Sequence, residues 1–219
     1  MTTTLKVDFH VHTRWSRDSL NQLPQLLQSA ERRGLDRIVI TDHNTIAGAL
    51  AARQLAPERV IVGEEVLTTR GELLAAFVTE EVPKKLPPLE AIARLRAQGA
   101  FISVSHPFDR QRSGWALPDL LEIAPLVDAI EIFNARCYTA QQNLEAQQFA
   151  AEHHLPGTAG SDAHAPFEVG RALLALPAFD DPASLRAALP QARLFARRSL
   201  PLVHLLSFYA RMTHKSRIR

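Results

Sequence analysis

Short runs that are apolar on both faces alternate with helix-spaced runs along almost the whole chain. Seven segments, 5–9, 37–41, 59–62, 73–79, 100–104, 127–133 and 156–160, are brief and mostly apolar, and all but the last carry Val or Ile, which predicts strands of a buried parallel sheet. Between the first two, Leu23, Leu26, Leu27 and Ala30 recur at helical spacing, and Gly34 closes that run. Pro88 opens a helix bearing Leu89, Ile92, Ala93 and Leu95 and stopped by Gly99; another spans 140–154, ahead of Pro156 and Gly157. Asp181 and Pro182 read as the N-cap and first turn of a helix carrying Leu185 and Leu189. This alternation predicts a parallel α/β architecture. After the first strand the chain reads HVHTRWSRDS, without a glycine, so a barrel is favoured over a dinucleotide-binding sheet.

At 219 residues, 46% apolar and 22% charged, the chain suits one soluble domain with a sizeable core. It shows neither a leader pattern nor a membrane-length apolar run, so the expectation is a cytoplasmic protein with no membrane partner. The lone Cys137 excludes a disulfide framework and a thiolate zinc knuckle. The net charge of +2 hides an asymmetry: Arg193 to Arg219 holds seven bases and no acids, leaving 18 bases against 23 acids before it. This division separates an acidic barrel, 1–195, from a basic C-terminal extension, 196–219. The extension reads either as a solvated terminal helix or as a surface for a polyanion.

Reactive side chains collect where the predicted strands end. The first ends at His10, with His12 beyond it; the second runs into Asp42 and His43; the third reaches Glu64 and Glu65. The fifth leads to His106, the sixth to Asn134 and Arg136, and the seventh to Asp162 and His164. In a parallel barrel the carboxyl ends of the strands share one face, where sites are built. Imidazoles and carboxylates without thiolates suit Zn, Mn or Fe. Any one of these residues is weak evidence, since a single His is more often structural than a ligand; their recurrence at six strand ends is the signal.

The segments DFHVHTRWSRDS, ITDHNT, GEEV, SHPF, EIFNAR and AGSDAH, in this order over roughly 5–175, resemble the polymerase and histidinol phosphatase (PHP) superfamily, closest to its small stand-alone metal-dependent phosphoesterases. The resemblance implies a distorted seven-stranded (β/α)7 TIM-like barrel with a short C-terminal helical extension. It also implies two or three divalent ions, Mn, Zn or Fe, with Mg admissible. His10, His12, Glu65 and Asp162 would hold the first ion, Glu65 bridging to a second that His106 also binds. Asp18, His43 and His164 would hold the third. Two departures stand out: Ser19 replaces the glycine after the aspartate of the family's S-D-G motif, and Glu72 stands where many relatives place a histidine ligand. Glu72 is read either as a ligand of the second ion or as a solvated turn residue, and Glu64 competes with Glu65.

The activity implied is hydrolysis of a phosphate ester, a small phosphomonoester or nucleotide, by metal-bound hydroxide. A 5′–3′ exonuclease acting on short nucleic acid and a non-catalytic metal-binding module are the competing readings. Asp42 is expected to orient a ligand from behind. Arg136 is the favoured phosphate clamp, and Arg14, Asn134 and Arg171 complete the expected substrate contacts. Trp15 either stacks a base or covers the barrel mouth. Cys137 reads as a small buried thiol, and His153 and His154 as helix-end caps; His204 and His214 receive no role.

Overall fold

The computed structural model describes residues 3–216, with side chains as far as Thr213. Nine strands form one sheet among these residues. They are β1 (Thr4–Val11), β2 (Arg37–Ile40), β3 (Val60–Leu67), β4 (Glu72–Ala76), β5 (Phe101–Val104), β6 (Ala129–Asn134), β7 (Gly157–Gly160), β8 (Ala172–Pro177) and β9 (Arg193–Ala196). The spatial order is β7-β6-β5-β4-β3-β2-β1-β8-β9. Seven α-helices accompany them: α1 (Leu23–Arg32), α2 (Ala47–Leu55), α3 (Pro88–Ala97), α4 (Leu117–Ile123), α5 (Ala140–Glu152), α6 (Pro182–Ala188) and α7 (Val203–Ser216). None is long and apolar enough to cross a membrane.

β1 pairs with β2 along one edge and shares its other edge between two neighbours. Its first half pairs antiparallel with β8, from Thr4 opposite Pro177 to Val7 opposite Leu174. Its second half meets the segment following β7, through a parallel bridge from Val11 to Ala163 and a 2.7 Å bond from the Asp162 amide to the His10 carbonyl. That contact brings the sheet nearly closed on itself. Gly160 makes it feasible, because a Cβ there would stand 2.2 Å from the His10 Cβ.

The α/β barrel class holds, with two corrections to the expected seven parallel strands. The sheet has nine strands, and β4 runs antiparallel to both β3 and β5. A single hairpin turn, 68–71, joins β3 to β4, too short for the crossover a parallel pair demands. β8 and β9 escaped the sequence reading because ALLALP lacks β-branched residues and RLFA lies exposed on the sheet edge. Helices α1, α3, α5 and α6 lie where periodicity puts them, whereas α2 and α4 were not foreseen. The segment before α6 bears the expected cap, the Asp181 carboxylate accepting from the Ser184 amide.

Two apolar clusters hold the fold. One lies between sheet and helices and includes Leu26, Ile38, Ile40, Leu95, Ile102 and Leu120. The other gathers Phe9, Val39, Phe101, Ala159, Leu174 and Phe179. Register shifts within β1, between Asp8 and Val11, and within β6, between Glu131 and Phe133, mark bulges beside the site. A bulge re-aims the strand, so Phe9 joins the second cluster while the adjacent His10 reaches the polar face.

Candidate metal centre

The carboxyl ends of the parallel strands deliver most of the site. His10 lies in β1 and His12 just past it; Asp42 and His43 follow β2; Glu65 lies in β3, its amide bonded to the Asp42 carbonyl. His106 follows β5, and Asp162 and His164 follow β7. Glu72 arrives by the opposite route. Because β4 is antiparallel, its first residue lies at the end where its neighbours finish, with the Ser105 amide bonded to the Glu72 carbonyl. Asp162 holds φ at 53°, a left-handed conformation that Asp tolerates better than most residues.

All nine candidate ligands meet around one cleft. His10 and His12 bring their Nε2 atoms within 2.9 Å of each other. Asp162 Oδ1 lies 3.6 and 3.2 Å from these two nitrogens, and Glu65 approaches each at 3.4 Å. The other Glu65 contacts are His106 Nε2 at 3.3 Å and His43 Nδ1 at 2.9 Å. Glu72 stands 3.5 Å from His106 Nε2, which makes it part of the cluster rather than a solvated turn residue. Asp18 Oδ1 faces His43 and His164 at 3.5 and 3.4 Å. Donor atoms of His10, His12 and Asp162, of His12, His43 and His164, and of His43, Glu65 and Glu72 each fall within 4.8 Å of one another. Glu64 turns away and accepts the Val82 amide, so Glu65 is the glutamate of the cluster.

The partners behind the ring fix which imidazole nitrogen faces inward. His10 Nδ1 is 2.9 Å from Glu131, His12 Nδ1 is 3.1 Å from Ser16 Oγ, and His164 Nδ1 is 2.7 Å from the Asp162 carbonyl. Ser16 Oγ donates to Asp42 at 2.6 Å, and Asp42 also accepts the Thr13 amide at 2.7 Å. With Ser16 Oγ–H committed to Asp42, its oxygen accepts from His12 Nδ1–H. His10 and His12 then turn lone pairs on Nε2 toward each other at 2.9 Å, an arrangement that calls for a cation between them. The donor set, nitrogen and oxygen without sulfur, fits divalent metal ions.

The electrostatics show the same demand for positive charge, which a proton on His10 or a divalent cation can meet. Burial disfavours charge on His10, yet Asp162, Glu65 and Glu131 hold its pKa well above the usual value. Burial, with His164 and His43 beside it, drives His12 well below. Despite burial, His10 and Arg112 keep Asp162 ionised far below the ordinary carboxylate range, and His10 and His43 do the same for Glu65. Burial and the Glu65 charge push Glu72 up to about 7.

The expected substrate contacts are scattered. Arg136 borders the cleft, but its guanidinium bonds the Val203 carbonyl and Ser207 Oγ, both at 2.9 Å, and lies 3.4 Å from Glu168. Asn134 is buried beneath the ring, 3.2 Å from Asp162. Arg14 bonds Gln22 at the surface, and Arg171 bonds the Arg198 carbonyl. Trp15 is 37% exposed and walls an adjoining cavity. Cys137 is buried, its thiol pushed up by burial. His153 caps the end of α5 and His154 follows it, both exposed, and the His214 side chain lies outside the described residues.

Sequence reasoning missed Arg112, Glu131 and His204. Arg112 donates to Asp162, and to Asp109 at 2.8 Å, from the loop after β5; its only signal was a cation in RQRSG, shortly after His106. Glu131 was legible as the acid in the EIFN run. His204, given no role, lies at the cleft, stacked on Tyr138 with ring centroids 4.0 Å apart.

Comparison with known proteins places this arrangement. The PHP domain family matches over residues 8–85, and the PHP-associated family over 140–194. An uncharacterized protein of Methanocaldococcus jannaschii is 37% identical over 174 residues, 78% of this chain and 70% of that protein. The chain belongs to the PHP family. Its solved neighbours include a candidate metal-dependent phosphoesterase from Bifidobacterium adolescentis, with TM-score 0.63, 17% identity, and coverage of 84% of this chain and 96% of that one. A lesion-specific endonuclease from Pyrococcus furiosus aligns with TM-score 0.66 and 17% identity over 88% of this chain, which spans 58% of the endonuclease. At such identities the likeness is one of fold. Of the nine candidate ligands in this PHP protein, His106 alone falls outside both matched segments.

Proposed function

We propose that this PHP protein is a metal-dependent hydrolase of phosphate esters, with a small phosphomonoester or nucleotide as substrate and two or three divalent ions at the cluster. The observation that carries the reading is the facing pair of His10 and His12 nitrogens, enclosed by Glu65 and Asp162. Divalent ions held there would bring the pKa of a water toward neutrality and clamp phosphate oxygens.

The chain's own residues prepare the rest. Asp42, through Ser16, and Glu131 hold the Nδ1 protons of His12 and His10, so that in each neutral imidazole the lone pair lies on the inward Nε2. Arg112, fixed between Asp109 and Asp162, places a guanidinium on the cleft wall, where it offsets negative charge on an arriving phosphate. The cleft, about 460 Å³, has the size of a small-molecule site. Arg136 acts here as an anchor for α7 rather than as a free clamp.

The test is phosphate release by the manganese-loaded chain from nucleoside monophosphates, 3′,5′-bisphosphates, histidinol phosphate and short 5′-phosphorylated oligonucleotides. Asp162→Asn should lower metal content and reduce turnover by at least about a hundredfold. Release confined to the oligonucleotides would replace the small-substrate reading with the exonuclease. Silence across the panel from protein carrying its metals would point to a non-catalytic module.

A further inference from the structure

α7 turns its smaller side chains inward and its large apolar ones outward. Val203, Ser207 and Ala210, at i, i+4 and i+7, are buried against the barrel. Leu205, Phe208, Tyr209 and Met212, at i, i+3, i+4 and i+7, form a second stripe, each more than half exposed. Leu200 and Leu202, just ahead of the helix, are 66% exposed. α1 has the opposite arrangement, with Leu23 and Leu26 buried. No other α-helix among the described residues leaves more than two large apolar side chains exposed. An apolar stripe of this length marks a surface that something covers.

Three observations narrow what covers it. The first is charge: the segment from Arg193 to Arg219 holds seven bases and no acid, and Arg211 is exposed on α7 itself. The second is the apolar stripe, which a nucleic acid would leave in water while meeting the bases. The third is how α7 is fastened. Arg136 donates to the Val203 carbonyl and to Ser207 Oγ, and His204 bonds the Arg136 carbonyl while stacking on Tyr138. A protein groove that wrapped the helix would break these contacts, whereas a plane meets the outward face alone. A second copy docking through its own α7 would set two acid-free, basic segments together, and an anionic lipid surface attracts them instead.

We propose that α7 lies in the surface of a bilayer containing anionic lipid. Leu205, Phe208, Tyr209 and Met212 enter the boundary between headgroups and acyl chains, and the bases of the extension meet the headgroup charge. The expectation of no membrane partner rested on the want of a spanning run, which a helix lying in the plane of the bilayer does not need. His204, Ser207 and Arg211 also line the cleft, so docking through α7 sets the cleft beside the lipid surface.

The test is flotation of the full chain with vesicles of phosphatidylcholine alone and of phosphatidylcholine mixed with phosphatidylserine. The native chain should bind the mixed vesicles at least about tenfold more tightly, and less so as salt rises. The variant Leu205→Gln, Phe208→Gln, Met212→Gln changes exposed positions to a good helix former, so it should fold, and its thermal midpoint checks this. Its binding to mixed vesicles should fall at least about tenfold. The variant Lys215→Gln, Arg217→Gln, Arg219→Gln should lose the preference for phosphatidylserine. Absence of flotation with mixed vesicles, or flotation unchanged in the first variant, would overturn the proposal. So would self-association in sedimentation velocity that the first variant abolishes in a chain that does not float, an outcome that assigns the face to a second copy. None of these readouts needs turnover, so this proposal and the hydrolase reading fail separately.

Discussion

Within the sheet, Phe9, Val39 and Phe101 pack with Leu174 and Phe179 in one cluster, each of these five at most 4% exposed. Toward the other end of the sheet, β1, β3, β6 and the segment after β7 present His10, His12, Glu65, Glu131 and Asp162, none more than 2% exposed. Both regions are dry, yet they are held by opposite means. The apolar half gains free energy by leaving water, at about 25 cal/mol for each Å² buried. The polar half gives up hydration that its internal pairs only partly restore. The carboxylates hold His10 and His43 charged, so the space between the facing nitrogens of His10 and His12 takes either a proton or a divalent cation. The fold thus carries a destabilising site on a stabilising base, and it is the upper half whose nitrogen and carboxylate donors fit a divalent cation.

The largest effect on that contrast should come from the base. Phe101→Ala removes a ring buried in the lower cluster and should cost about 3–5 kcal/mol of stability, measured by denaturant unfolding. Metal content per folded chain should stay at the native value, because no candidate ligand touches the vacated space. A variant that folded but no longer bound metal would show that the two halves are one unit, and the contrast would break.

A smaller change sharpens it from the other side. Glu131→Gln keeps the shape behind His10 but removes the charge that holds its Nδ1 proton at 2.9 Å and that also accepts the His106 amide at 2.7 Å. Competition against a chelator of known affinity should show metal binding weakened about tenfold to a hundredfold. The thermal midpoint of metal-free protein should fall, since the buried His10 loses a partner for its charge. Metal affinity unchanged to within threefold would mean that Glu131 serves packing alone.

Much of this contrast was legible before the structure. His10, His43, Glu65 and His106 stand out because each follows a short apolar run carrying Val or Ile, and Asp162 because it follows the short apolar run at 156–160, so all five could be aligned on one face from order alone. Glu72 could not be placed that way: its position depends on β4 running backwards, and strand direction is set by the length of the 68–71 turn rather than by the strand's own residues. Arg112 was hidden because a cation in a loop carries no periodicity, and only the folded loop brings it onto Asp162. β8 reads as helix former by composition and becomes a strand because the N-terminal half of β1 offers it an unpaired edge. For α7, basic composition alone offered two readings; its inward residues Val203, Ser207 and Ala210 show which face docks.

The smallest expected effect tests whether a carboxylate outside the barrel needs any cation beyond the protein's own. Asp128, just before β6, accepts from Arg96 at 2.7 Å, Arg186 at 2.9 Å and the Ile102 amide at 2.8 Å. Burial alone would raise its pKa, but Arg186 and Arg96 bring it below the usual carboxylate value. A carboxyl depressed in the folded state contributes stability that is present above its unfolded pKa, near 4, and is lost as pH falls through the folded value. Thermal midpoints of native protein and Asp128→Asn should therefore differ at pH 5 and converge as pH falls below about 4. Partial exposure limits the difference to no more than a few degrees. It should be the same with and without chelator, because arginines already supply the charge that the histidine ring must take from a metal. A chelator-dependent difference would tie this outer pair to the cluster and remove the contrast between a self-sufficient ion pair and a site that needs a cation.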